Sequence, residues 1–140
     1  MWMNESMAGR ITKLLCMGLF ITGAFLTPAT YANSADFKTG YRAYQRGDFA
    51  AAAKEWLALA EAGNTKAQYN VGILFDQGKG VQQDRAEAVS WWRRSAESGF
   101  RMAQHNLANA YIAGDGVEQS YKDAVHWLQR ASEAGLNRSR

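Results

Sequence analysis

Residues 64–99 read NTKAQYNVGILFDQGKGVQQDRAEAVSWWRRSAESG, and residues 100–135 read FRMAQHNLANAYIAGDGVEQSYKDAVHWLQRASEAG. Laid on each other without a gap, the two stretches agree at 13 of 36 positions, where unrelated sequences of average composition agree at about two. The shared residues include Ala67/Ala103, Gln68/Gln104, Asn70/Asn106, Gly78/Gly114, Gly80/Gly116, Val81/Val117, Gln83/Gln119, Ala88/Ala124, Trp91/Trp127 and Gly99/Gly135. A fixed period of this length marks a repeat protein, in which each unit buries its apolar face only against its neighbours.

Within a unit the apolar spacing is helical twice. Ala67, Val71 and Phe75 recur at i, i+4 and i+8, and Ala103, Leu107 and Tyr111 repeat the pattern, which predicts a first helix over about 65–77 and its counterpart. Asn64 or Thr65 supplies an amino-terminal cap, Thr65-x-x-Gln68 has capping-box spacing, and Gly78 supplies the stop. After the Gly-x-Gly-Val turn, Asp84 (Ser120 in the next unit) opens a second helix. That helix presents Ala88, Trp91, Trp92, Ser95 and Ala96 and stops at Gly99. Gly72, Ala108, Ala88 and Ala124 are small enough for paired helices to approach closely, and the Trp91/Trp127 column is expected to fill the space between units. Residues 33–63 form a shorter first unit, with Gly47-Asp48-Phe49 in place of the long turn and with Gly40, Ala52, Trp56 and Gly63 at matching spacing. Terminal units of such arrays are commonly atypical. The expected fold is therefore all-α: a solenoid of three helix–turn–helix repeats at 33–63, 64–99 and 100–135, with a short basic tail at 136–140.

Working outward to the amino terminus, residues 1–32 have the plan of a secretory signal peptide. Arg10 and Lys13 are the positive region, Leu14 to Leu26 the apolar run, Pro28 the helix breaker, and Thr30-Tyr31-Ala32 the small-residue cleavage site. The start lies at Met1, Met3 or Met7, and cleavage after Ala32 is expected. The 13-residue run is short of the roughly 20 apolar residues that span a bilayer. The single cysteine, Cys16, lies in this leader, so the exported chain would hold no thiol, and neither a disulfide framework nor a thiolate metal site is open to it. Removing the leader leaves 14 basic and 12 acidic residues, a balance without the concentrated basic face of a nucleic-acid binder.

The unit Ala67…Val71-Gly72…Phe75…Gly78-Lys79-Gly80-Val81…Asp84…Ala88…Trp91-Trp92…Ala96…Gly99 resembles the Sel-1-like repeat, a relative of the tetratricopeptide repeat. Residues 100–135 match as well, with Ala108 for the glycine and Ser120 for the aspartate; the first unit is closer to a tetratricopeptide motif. The resemblance implies an adaptor or assembly scaffold that binds a protein partner, exported in bacteria to the periplasm, with envelope assembly and toxin immunity among the roles it covers. Cysteine-rich relatives linked to β-lactam hydrolysis are not matched here. Tetratricopeptide geometry further implies that the first helices line a concave face, carrying Lys66, Tyr69, Ile73 and Gln77 in one unit and Met102, His105, Asn109 and Ile112 in the next, with Tyr41 the candidate in the first. These are the candidate partner-binding residues.

No catalytic or cofactor site is expected. His105 and His126 lack a second ligand or base at helical spacing. Gly78-Lys79-Gly80 and Gly114-Asp115-Gly116 follow helices and lack the Gly-Lys-Ser/Thr ending of a phosphate loop. Arg93, Arg94 and Arg101 read as a solvated cluster with intrahelical pairing such as Arg94 to Glu97. The last helix is expected to leave Val125 and Leu128 uncovered, an open end suited to docking or to a homodimer. Two alternatives stay beside the binding module: a small secreted hydrolase, tested by alanine at His105 and His126, and a membrane-tethered helper, excluded by a product beginning at Asn33.

Overall fold

The computed structural model describes residues 35–136; the leader expected at 1–32 lies outside them, as does the expected tail at 136–140 apart from Leu136, which ends the last helix. Within these residues six helices follow one another in pairs: α1 (Phe37–Gln45) with α2 (Phe49–Glu61), α3 (Thr65–Gln77) with α4 (Arg85–Glu97), and α5 (Arg101–Ala113) with α6 (Tyr121–Leu136). The main helix contacts are between neighbours along the chain, so the molecule is a stack of three hairpins. The all-α solenoid expected from the repeat is the fold observed.

Side-chain caps set every helix start but that of α5, which begins after Phe100 with no side-chain cap. The carboxylates of Asp36, Asp48 and Asp84 accept from the N–H groups of Lys38, Ala51 and Glu87, and the Ser120 hydroxyl accepts from Asp123 N–H at 3.2 Å. Asn64 caps α3, accepting from Ala67 N–H at 2.9 Å. The capping box does not form at Gln68. Its side chain is buried and turns instead to the preceding unit, where its amide donates to the Ala60 carbonyl at 3.2 Å. Gln104 repeats this bond to the Ala96 carbonyl at 3.1 Å. Gln83 and Gln119, also shared by the two units, each reach back to the end of the first helix, donating to the carbonyls of Asp76 and Ile112.

Two core clusters fill the seams. The first joins Ala52, Trp56 and Ala60 of α2 to Ala67, Val71 and Leu74 of α3 and to Trp91 of α4. The second joins Val89, Trp92 and Ala96 to Ala103, Leu107 and Ala110 of α5 and to Trp127 of α6. Trp91 and Trp127 thus face the unit before them, as the column predicted. Their neighbour in sequence does a different job. Trp92 lies against Gly72 of its own unit, where an added Cβ would collide with the indole, and Trp56 stands in the same relation to Gly40. Phe75 and Tyr111, expected in the core, are half-buried at its margin. Leu74 and Ala110, one residue earlier, are the buried ones.

The long turn has a packing reason. A Cβ on Gly80 would strike the backbone of Phe49 at the start of α2, and one on Gly116 would strike Arg85 at the start of α4. Each Gly-x-Gly turn therefore docks onto the unit before it. The first unit has the short Gly47-Asp48 turn at that point in its hairpin.

Candidate functional site: the first-helix groove

A cleft of about 430 Å³ opens between α3 and α5. Tyr69, Ile73 and Gln77 line it from α3, Asn106, Asn109 and Ala113 from α5, and Trp92 lies beneath. A smaller pocket of about 130 Å³ continues it towards α1, bounded by Tyr41, Tyr44, Asn70 and again Ile73. Of the residues placed on the concave face by sequence, Tyr41, Tyr69, Ile73, Gln77 and Asn109 come together along this groove. Lys66, Met102 and Ile112 are exposed but line neither pocket, and the Lys66 ammonium lies 5.2 Å from the centre of the Phe37 ring. His105 lines a separate groove at the carboxyl-terminal end, with Leu128 and Ser132.

The groove combines apolar floor with unspent polar groups. The indole N–H of Trp92 is buried with no hydrogen-bond partner among the described residues, whereas the Trp56 indole donates to the Phe37 carbonyl at 3.2 Å. A buried donor without a partner costs about 1–3 kcal/mol, and this one lies enclosed against Gly72. Burial pushes the Tyr69 phenol above its ordinary value, against a hydrogen bond from Asn106 that favours ionisation. Tyr69 also packs against Phe100 of the next unit at 5.2 Å between ring centres. At the rim, Arg85 sits between Asp76, at 3.5 Å, and the closer Asp115. Two carboxylates around one guanidinium leave the rim negative by one charge. With all three side chains a third to a half exposed, each pair is worth no more than about 1 kcal/mol.

The sequence reading missed Asn106, Asp76, Arg85 and Asp115, because the groove's rim is made by side chains from two units and the twist between units is not written in either one. A signal did exist for Asn106: it is one of the repeated identities, with Asn70 as its counterpart. The basic cluster also resolves differently. Arg94 lies over the Trp91 ring at 4.5 Å, Arg130 repeats this over Trp127 at 5.1 Å, and Arg93 donates to the Tyr111 hydroxyl at 2.9 Å. Arg94 and Arg130 cover the seam tryptophans, a cation–π use of their planes that outcompetes an exposed ion pair of Arg94 with Glu97. Among the described residues no group of three histidine, cysteine or acidic side chains is placed to hold a metal, and no helix is long and apolar enough to cross a membrane.

The Sel1 repeat family pattern matches residues 65–100 and 101–136, half of the chain. The chain belongs to the Sel1 repeat family. Among solved structures, the crystal structure of a Sel1 repeat protein from Oxalobacter formigenes is similar at 29% identity and a TM-score of 0.65, covering 96% of this chain and 57% of that one. The protein c5321, a protective antigen of uropathogenic Escherichia coli strains with the same repeat fold, is 33% identical at a TM-score of 0.65 over 77% of this chain and 23% of its own. The chain thus spans little more than half of one solved relative and less than a quarter of the other. No curated protein matches in sequence. Sel1 repeats generally mediate protein–protein contact.

Proposed function

We propose that this Sel1 repeat protein is an exported, non-catalytic binding module that holds a segment of a partner protein along the first-helix groove, in the periplasm after cleavage of its leader behind Ala32. The observation that carries the reading is the cleft itself. Apolar surface from Ile73 and Trp92 lies beside the carboxamides of Gln77, Asn106 and Asn109. Carboxamides offer both a donor and an acceptor, which is what a peptide backbone presents in return. Aromatic anchors bordered by adaptable polar groups are where interface energy concentrates. Export is supported by the arrangement of Arg10, Lys13, the Leu14–Leu26 run and Thr30-Tyr31-Ala32. Within this reading, assembly of envelope complexes and neutralisation of a delivered toxin are the two roles such a module would serve.

The test is crosslinking in intact envelopes followed by mass spectrometry. One stoichiometric partner, lost when Tyr69 and Asn109 are both changed to alanine and retained when exposed Glu118 is, is the expected result. Crosslinks indifferent to Tyr69 and Asn109 would remove the groove from the mechanism. The mass of the envelope form, beginning at Asn33, checks export in the same sample.

A further inference from the structure

Where the second seam repeats the first, one position changes from apolar to charged. In the first seam Leu57 of α2 packs at the margin of the core with Phe75 and Val81. The same three places in the second seam hold Arg93, Tyr111 and Val117, and the exposed Lys54 gives way to Ser90. Three apolar side chains suffice at the first seam, so the fold itself places no demand for a charge here. Arg93 is nonetheless half-buried and without a counter-ion. Its Nε is buried with no partner, its Nη2 donates to the Tyr111 hydroxyl at 2.9 Å, and its Nη1 has no protein partner among the described residues. Glu97 on the same helix and Glu118 beside Val117 are exposed, and neither forms an ion pair with it. A part-buried cation left unpaired costs stability that a leucine would not. Beside it lies a cavity of about 210 Å³, bounded by Ala86, Val89, Ser90 and Arg93 of α4 and by Gly116 and Val117 of the turn docked on that helix. The Ser90 hydroxyl makes no hydrogen bond among the described residues.

We propose that this pocket binds a single carboxylate carried on a short aliphatic stem. One uncompensated guanidinium answers one negative charge, whereas a phosphate, close to a dianion at neutral pH, would leave charge over. The planar fork of arginine suits the two oxygens of a carboxylate, and the bond to Tyr111 holds that plane before any ligand arrives. The contact runs through Nη1, because Nε is enclosed. Ser90 adds a hydroxyl donor, and Ala86, Val89 and Val117 offer methyl groups to the stem. An acidic side chain of a partner protein and a free short-chain acid both present this chemistry. The pocket shares no residue with the first-helix groove and does not depend on the function proposed for it.

The probe is sodium butyrate, titrated at constant ionic strength into the ¹⁵N-labelled protein, with butyramide as its uncharged isostere. Saturable shifts are expected in the Arg93 Nε–H signal and in the amides of Ser90, Gly116 and Val117. Butyramide should bind at least about tenfold more weakly, for want of charge-assisted hydrogen bonds. The double variant Arg93→Leu/Tyr111→Phe installs the pair found in the first seam, so it should fold with a urea midpoint no lower than that of wild type and show no saturable shift. A blocked glutamate, N-acetyl-glutamate N-methylamide, separates the two sources. Binding as tight as that of butyrate assigns the pocket to an acidic side chain of a partner, and binding of butyrate alone assigns it to a free acid. Equal shifts from butyrate and butyramide, shifts that never saturate, or saturable binding that survives in the double variant would each overturn the assignment. The comparison of butyrate with butyramide uses wild type alone and stands whether or not the double variant folds.

Discussion

Single side chains hold the hairpins at a fixed separation, and the pair Gly72–Trp92 shows how. The indole occupies the space a Cβ on Gly72 would need, and in the third unit both members change together, to Ala108 and Leu128. A smaller partner across the hairpin goes with a larger residue on the first helix. Gly72→Ala should therefore destabilise the protein by about 1–3 kcal/mol, since overpacking outweighs the helix-propensity gain of alanine. In a background already carrying Trp92→Leu the same change should be neutral or stabilising, a coupling of about 1–3 kcal/mol in a double-mutant cycle by urea denaturation. Independent, additive effects would show that the two residues are not fitted to each other. Tyr69 permits a second measurement at this scale. Its phenol is raised by burial above 10.0, so the folded state prefers the neutral form. That stability is fully present below the unfolded-state value and is lost as pH rises through the higher folded one. Absorbance titration near 295 nm should find a tyrosine ionising above the ordinary value, and Tyr69→Phe should remove both that step and its share of the alkaline loss of stability.

At the scale of helices and turns, much was legible before any coordinates. The bounds expected for α3 are those observed, Asp84 and Ser120 cap where their spacing placed them, and Gly78 closes α3 in the left-handed conformation at φ 64°. These features are local, decided within one turn of helix by the orphan N–H and C=O groups of its ends. What was not legible is whatever one unit does to another. Gln68 looked like half of a capping box and is instead a bolt to Ala60, because burial against the preceding helix offers it an acceptor that the local turn does not. The Trp91-Trp92 pair reads as one aromatic feature and acts as two, facing the preceding unit and its own hairpin. The bolts carry a prediction. Gln104→Ala should cost about 1–3 kcal/mol, and Gln104→Glu more at neutral pH, since it exchanges the buried donor for a charge with no partner. Equal stability of wild type and Gln104→Glu in guanidinium melts would dispose of the bolt. The first cap titrates in the opposite sense from Tyr69. Asp36 is lowered chiefly by the Lys38 N–H, helped by Thr39. Its contribution is present above the unfolded-state value of 3.8 and fades as pH falls through the lower folded one. Asp36→Asn should flatten that part of the acid limb in circular dichroism at 222 nm.

Over the whole molecule, order along the chain becomes order in space, and this decides how the protein comes apart. With the main contacts restricted to successive helices, stability is close to a sum of hairpin terms and seam terms. Trp91 belongs to the first seam and Trp127 to the second. Either tryptophan truncated to alanine should cost about 3–5 kcal/mol, but the loss should fall on different parts of the chain. Trp127→Ala weakens only the hold on the last hairpin, whose outer face already exposes Val125 and Leu128. Amide exchange in α5 and α6 should accelerate by about two to three and a half orders of magnitude, by the conversion of about 1.4 kcal/mol per factor of ten, while α2 and α3 keep most of their protection. Trp91→Ala breaks the chain nearer its middle and should release the first hairpin, speeding exchange in α1 and α2 ahead of α5. The same logic links stability to binding: a segment lying across the α3–α5 groove bridges the second seam, so it should restore α5–α6 protection to the Trp127 variant more than α1–α2 protection to the Trp91 variant. Hydrogen-exchange mass spectrometry resolves these patterns hairpin by hairpin. If both variants lost protection uniformly from Phe37 to Ala134, the three hairpins would be one cooperative body rather than a series, and the seam-by-seam account of both fold and groove would fail with it.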